Sequence, residues 1–199
     1  NNTTTLTGDI STTGNNAHGL ILSSSDNNTT TLTGGISTGN VDGTSGEDAY
    51  GLYLANSNNN TTTLTGGITT TGDSAYGLYL SGSNNNTTTL TGDISTTGSS
   101  AHGLHLSSSD SNIIHLNGKV TASHGTAYSA VFDNTADNNI LAFGRGSTFI
   151  TDYYNDGTGN TLDFTNLGRA ASYNYDWTVD GTGTDFLLTD ANKPLVEGS

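Results

Sequence analysis

Apolar residues in the first two-thirds of this chain recur at a fixed phase within an otherwise polar sequence. The unit NNTTTLTGDISTTGNNAHGLILSSSD at positions 1–26 returns at 27–58, 59–84 and 85–110, and in weaker form at 111–137. A fixed period of this length marks stacked copies of one small element, each touching only its neighbours. Glycine and Asn/Ser clusters divide each unit into three short extended pieces, which in the third copy are Thr61–Thr65, Ile68–Thr71 and Gly77–Ser81. β-branched Thr and Ile favour strands, and nothing follows the 3.6-residue period of an amphipathic helix. Three strands and three turns per unit predict an all-β chain, in which each unit is one coil of a right-handed parallel β-helix.

Alternation assigns the faces. In the first strand Leu6, Leu32, Leu64, Leu90 and Leu116 point inward, with Thr4, Thr30, Thr62, Thr88 and Ile114 on the same side. Ile10, Ile36, Ile68, Ile94 and Val120 fill the second wall. The third wall takes Leu20/Leu22, Leu52/Leu54, Leu78/Leu80, Leu104/Leu106 and Ala130/Phe132. The pairs Asn1/Asn2, Asn27/Asn28, Asn59/Asn60 and Asn85/Asn86 are expected to stack as amide ladders. Gly8, Gly34, Gly66, Gly92 and Gly118 recur at one corner, where a positive φ is expected. Six extra residues around Asn40–Glu47 read as a loop inserted on one face. After Asp137 the strict repeat dissolves. Nine of the 15 aromatic residues, Trp177 among them, lie beyond residue 140, so 138–199 reads as an irregular, better-packed end of the same solenoid.

Composition narrows the functions. Hydrophobic residues make up 31% of the 199 and charged residues 11%, a balance that would suggest disorder were the Leu and Ile not in register. The net charge is −14, and the four basic residues, Lys119, Arg145, Arg169 and Lys193, leave positions 1–118 with none. A phosphate-binding surface needs clustered Lys and Arg, so neither nucleic acid nor an anionic membrane is an expected partner. Without cysteine there is no disulfide or thiolate metal site. No apolar run reaches 18 residues, so this segment is not expected to insert into a membrane as a helix. The chain opens within a repeat and reads as a fragment of a longer protein.

Two surface ladders stand out. The outward positions of the third strand carry His18, Tyr50, Tyr76, His102 and Tyr128, and three residues on lie Ile21, Tyr53, Tyr79, His105 and Val131. Exposed aromatic stripes can stack on sugar rings or dock a partner, and ring-on-ring stacking can equally just support the sheet. The candidate binding residues are therefore His18, Tyr50, Tyr53, Tyr76, Tyr79, His102, His105 and Tyr128. The second ladder is Thr3/Thr5/Thr7 with its copies at 29/31/33, 61/63/65 and 87/89/91, a flat hydroxyl array of the kind that ice-binding solenoids carry.

Other chemistry is thin. Asp180–Leu187 (DGTGTDFL) resembles a calcium-binding nonapeptide, with a poorer copy at Asp156–Leu162, but it lacks the double glycine and a tandem partner on the adjoining turn. His102 and His105 have no third ligand in view, so no metal or other cofactor is expected. Asp9 and Asp93 occupy equivalent repeat positions, yet Gly35 and Gly67 separate them and no Lys or Arg is near in sequence. An enzyme is not expected.

The units TTTLTGDISTTG and DSAYGLYLSGSN resemble the passenger domains of Gram-negative autotransporters, well over residues 1–137 and loosely over the rest. The closing stretch GNTLDFTNLGRAASYNYDWTVDGTGTDF is similar to the aromatic-richer segment that precedes the barrel in that family. The resemblance implies secretion to the bacterial cell surface or the exterior, and a role as stalk or adhesin against a glycan, a host surface or a biofilm. A purely structural filament or matrix subunit, self-associating through its coil ends, is the alternative expectation.

Overall fold

The computed structural model describes residues 1–39, 47–167, 179–181 and 184–187. Parallel strands build three sheets of eight, six and seven strands. Each of the first six coils contributes one strand to each sheet, as Thr61–Leu64, Ile68–Thr71 and Leu78–Ser81 do in the third coil. The fold is a parallel β-helix of about six turns with coils of roughly 26 residues. Among the described residues no helix is long and apolar enough to cross a membrane.

Identical residues pair with their own copies. Leu6, Leu32, Leu64, Leu90 and Leu116 form one row. Ile10, Ile36, Ile68, Ile94 and Val120 form a second. With the paired leucines of the third sheet they make one continuous core. The row of Thr30, Thr62 and Thr88 also faces inward, and the Oγ1 atoms of Thr62 and Thr88 are buried without a hydrogen-bond partner. Ile114, Leu141 and Leu162 continue that row in apolar form. In the first coil Leu6 of the inward Leu row is 36% exposed.

Two expectations about the corners need correction. Only the second residue of each Asn pair stacks. Asn2, Asn28, Asn60, Asn86, Asn112, Asn139 and Asn160 form an unbroken ladder in which the backbone N–H and Nδ2 of each donate to Oδ1 of the next, at 2.8–3.2 Å. The first residue turns the corner instead: Asn27, Asn59 and Asn85 have φ of 59°, 56° and 56°. One backbone cannot be both extended for the ladder and left-handed for the bend.

The second correction concerns the glycine corner. Gly8 and Gly34 do have positive φ, but Gly66, Gly92 and Gly118 are glycine for want of room. A Cβ there would lie 2.3–2.4 Å from the backbone of the glycine in the preceding coil.

Serine adds a parallel ladder, with the N–H groups of Ser25, Ser57 and Ser83 donating to Oγ of Ser57, Ser83 and Ser109, each at 3.0 Å. Beyond residue 137 the coils continue with larger fillings: Phe143 stacks on Phe164 at 4.7 Å and packs edge-on against Phe149 at 5.1 Å. Most of the Asn40–Glu47 insertion, Trp177, and Thr182 and Gly183 of the DGTGTDFL string lie outside the described residues.

One coil is cut short. Val120 pairs with Phe149 and Ala130 with Tyr153, so nine residues (121–129), the first two still in strand, lie beside a turn of three (150–152). The short turn is pinned at its base, where Ile150 N–H donates to Val120 O at 2.9 Å and Thr151 N–H to Ser129 Oγ at 3.1 Å. The longer turn therefore projects past its neighbour as a ledge.

Candidate functional site

The candidate aromatic residues gather into one lattice along the turn that leads into the third sheet. Their first row does not lie in the strand, as the alternation suggested. His18, Tyr50, Tyr76 and His102 each precede their strand by two residues, across a glycine. Gly51, Gly77 and Gly103 bring the coils together there, and a Cβ on any of them would sit within 2.8 Å of the core or of the next coil's backbone. The second row, Tyr53, Tyr79 and His105, lies in the strands themselves and pairs in register.

Within each row the rings stack. Centroid distances are 4.9 Å for His18–Tyr50, 5.2 Å for Tyr50–Tyr76 and 5.4 Å for Tyr76–His102, with interplanar angles of 8°, 6° and 14°. In the second row Tyr53–Tyr79 is 5.0 Å at 7° and Tyr79–His105 is 5.2 Å at 21°. Between rows the contacts are edge-on, as in Tyr50–Tyr79 at 4.8 Å and 67° and Tyr76–His105 at 4.6 Å and 88°. Such spacings follow from the strand separation of about 4.8 Å, which places one ring directly over the next.

This geometry limits the chemistry. Parallel rings stacked coil on coil cover one another's faces, so the lattice turns ring edges outward, with the Tyr50 hydroxyl held by Asp48 Oδ1 at 3.3 Å. The rings are half-buried and do not form the open stripe expected from the sequence. Burial pushes the Tyr76 hydroxyl up to about 12 and raises Tyr50 further, with Asp48 adding to both. Burial also holds His102 and His105 down to about 4. The histidines of the first row are further specified by the backbone: Tyr50 N–H donates to His18 Nδ1 at 3.2 Å and Tyr128 N–H to His102 Nδ1 at 3.0 Å. Each is thus a neutral imidazole whose Nδ1 is already engaged as an acceptor.

At Tyr128 the regularity ends. The interplanar angle rises to 40° against His102 and is 41° against Tyr154, with centroids 5.8 and 5.5 Å apart. Tyr154 extends the lattice although the repeat gives no sign of it. It pairs in the second row with Val131 yet packs at a tilt against Tyr128 of the first. The shortened turn before it causes this crossing, and no fixed-period reading would find it.

The remaining candidates are occupied structurally. Asp9 Oδ1 accepts the N–H of Gly35 and Asp93 Oδ1 that of Lys119, both at 2.8 Å, so each carboxylate clasps the next coil. Asn160, in the poorer calcium-like string, is the last rung of the Asn ladder. Among the described residues no group of three or more His, Cys, Asp or Glu could hold a metal ion. The outer Thr rows pair in register on one face of the first sheet, from Thr3, Thr29, Thr61 and Thr87 to Thr5, Thr31, Thr63 and Thr89. No family model matches this chain, and no curated protein or solved structure matches it.

Proposed function

We propose that this chain is a rigid stalk segment of a secreted or surface-displayed protein of the autotransporter passenger type. The observation that carries this reading is the set of uninterrupted axial ladders. Asn side chains, Ser hydroxyls and aromatic rings each link one coil to the next through residues that the repeat supplies in register. Every coil thereby serves as template and support for its neighbour, which suits an element whose task is to hold length. The acidic, polar surface favours solubility outside the cell and discourages binding to polyanions.

In-frame deletion of residues 59–84 provides the test. The deletion joins equivalent positions, so the shortened chain should fold and lose about 4.8 Å of length by scattering or electron microscopy. Displayed on a bacterial surface, it should still carry a fused head domain outward. Failure of the deleted chain to fold, or loss of a specific adhesion that the parent possesses, would refute the stalk.

A second reading, an adhesin, is favoured by the outward ring edges of the tyrosine rows. Multivalent weak contacts along the rows would then supply the avidity.

A further inference from the structure

We infer that the corner residues Asn27, Asn59 and Asn85 are acceptor sites for N-linked glycosylation, each taking a single hexose. The copies that begin there each open on Asn-Asn-Thr-Thr, which overlaps two Asn-x-Thr acceptor motifs. The first motif starts at the corner asparagine, the second one residue later at Asn28, Asn60 or Asn86. The fold decides between them. Asn60 and Asn86 are each 1% exposed. Asn60 Nδ2 donates to Ser25 O at 2.8 Å and Asn86 Oδ1 at 3.2 Å, and Asn86 Nδ2 to Ser57 O at 2.9 Å and Asn112 Oδ1 at 3.1 Å. Both hydrogens of each amide are thus spent, and a sugar there would displace a buried hydrogen bond with no space to enter.

The corner asparagines have the opposite surroundings. All three are exposed. Their backbone N–H groups donate to the carbonyls of Asn58, Asn84 and Asp110, each at 3.0 Å, which fixes the corner. Among the described residues their side-chain amides meet no hydrogen-bond partner. Thr29, Thr61 and Thr87, two residues on, carry the hydroxyl that the motif requires and pair in register on the outer face of the first sheet. Coil spacing sets the class of sugar. One coil, about 4.8 Å, separates successive acceptors, close to the thickness of a single pyranose chair. A branched oligosaccharide on every coil would collide with its neighbours. In the transfer, Nδ2 forms a bond to C1 of a nucleotide-activated hexose while the bond from C1 to the diphosphate oxygen breaks. The nucleoside diphosphate leaves with the electron pair, and the amide proton passes to a base of the transferase. The product is a neutral, solubilising column of sugars along one corner.

Asn138 is a control within the same chain. It is exposed and turns the corner with φ of 56°, but Ile140 stands where the hydroxyl would be. The test incubates the folded full chain with nucleotide-activated glucose and an asparagine glucosyltransferase that accepts a peptide of residues 25–31. Peptide mass spectrometry with electron-transfer fragmentation then locates each sugar. One hexose is expected on each of Asn27, Asn59 and Asn85, and none on Asn60, Asn86 or Asn138. Thr61→Val keeps the strand and removes the hydroxyl, so occupancy of Asn59 should fall at least tenfold while Asn27 and Asn85 stay as they were. The absence of hexose from all three corners would overturn the inference, as would a hexose on Asn60 or Asn86. Occupancy of Asn138 equal to that of Asn85, or of Asn59 unchanged by Thr61→Val, would also overturn it, since exposure alone would then govern transfer. The inference goes beyond the stalk reading and does not rest on it, because deleting residues 59–84 removes one acceptor and leaves two.

Discussion

The backbone N–H of Tyr128 donates to Nδ1 of His102 at 3.0 Å, across a separation of 26 residues. One coil thus depends on the protonation state of a side chain in the coil before it. A proton on Nδ1 would abolish the acceptor and place a charge among stacked rings. His105 stands edge-on to His102 at 5.6 Å, so both cannot become charged cheaply.

This coupling makes stability depend on pH. Burial lowers both His102 and His105 to about 4 in the folded chain, against about 6.5 when unfolded. The unfolded state therefore binds more protons between these values, and stability falls as pH drops. Full stability is expected above about pH 6.5, with a loss on the order of 3 kcal/mol from each histidine by pH 4, and so about 6 kcal/mol from the two together. Urea melts at pH 7.5, 5.5 and 4.5 measure it. His102→Tyr continues the row with a ring that does not titrate here, and should flatten the dependence. A pH-independent midpoint in the parent would show that the imidazoles do not carry the effect.

The Asn pairs define a second experiment. Asn86 Oδ1 accepts from both N–H and Nδ2 of Asn60, while its own Nδ2 donates to Ser57 O and Asn112 Oδ1. Asn86→Ala strands several buried partners, so a loss of about 3–5 kcal/mol is expected. Asn85 only turns the corner, at φ 56°. Asn85→Gly should be nearly neutral and Asn85→Ala should cost about 1 kcal/mol. Equal losses at 85 and 86, read from denaturant midpoints, would contradict this division of labour.

The same pair marks how far residue order can be read. Period, strand phase and the inward Leu and Ile rows follow from alternation, because a buried face permits one register only. Which Asn stacks does not follow, since both types are compatible with a turn and a ladder, and only the φ of each position separates them. Gly66 likewise reads as a flexible corner, whereas the reason for it is the Gly34 backbone 2.3 Å from where its Cβ would be. The aromatic rows were legible as rows. That their faces are mutually covered depends on ring orientation, which periodicity does not encode. The ledge and Tyr154 were hidden for a related reason: a turn shortened to three residues breaks the period that made the rest readable.

The inward Thr row predicts a stabilising change. Thr88 Oγ1 is buried and unpaired, and its neighbour one coil on is Ile114. Thr88→Val keeps the shape and removes the unsatisfied hydroxyl, so a gain of about 1–2 kcal/mol is expected. Leu64→Asp, in the adjacent inward row, should be severely destabilising because it buries a charge without a partner, while Thr63→Ser on the outer face should be near neutral. Thermal melts of the three variants check the face assignment directly, and a destabilised Thr88→Val would mean the hydroxyl is satisfied in solution.

The ring lattice allows binding and support to be separated chemically. Changing Tyr50, Tyr53, Tyr76 and Tyr79 to Phe keeps every ring and removes only the hydroxyls, of which Tyr50's donates to Asp48 Oδ1 at 3.3 Å. The 4.8–5.2 Å contacts among them survive, so the melting temperature should change little. Changing the same four residues to Ser deletes the rings, and each lost ring pair should cost about 0.5–1.5 kcal/mol beyond the buried area. If the rows serve only the stalk, the Phe variant should be indistinguishable from the parent in adhesion to cells or a glycan array, while the Ser variant loses stability. If the rows recognise a ligand, the Phe variant should stay folded and lose adhesion, because edge-on rings can offer a partner little besides their hydroxyls. A stable Ser variant would exclude a supporting role, since the stacked faces would then contribute nothing to holding successive coils together.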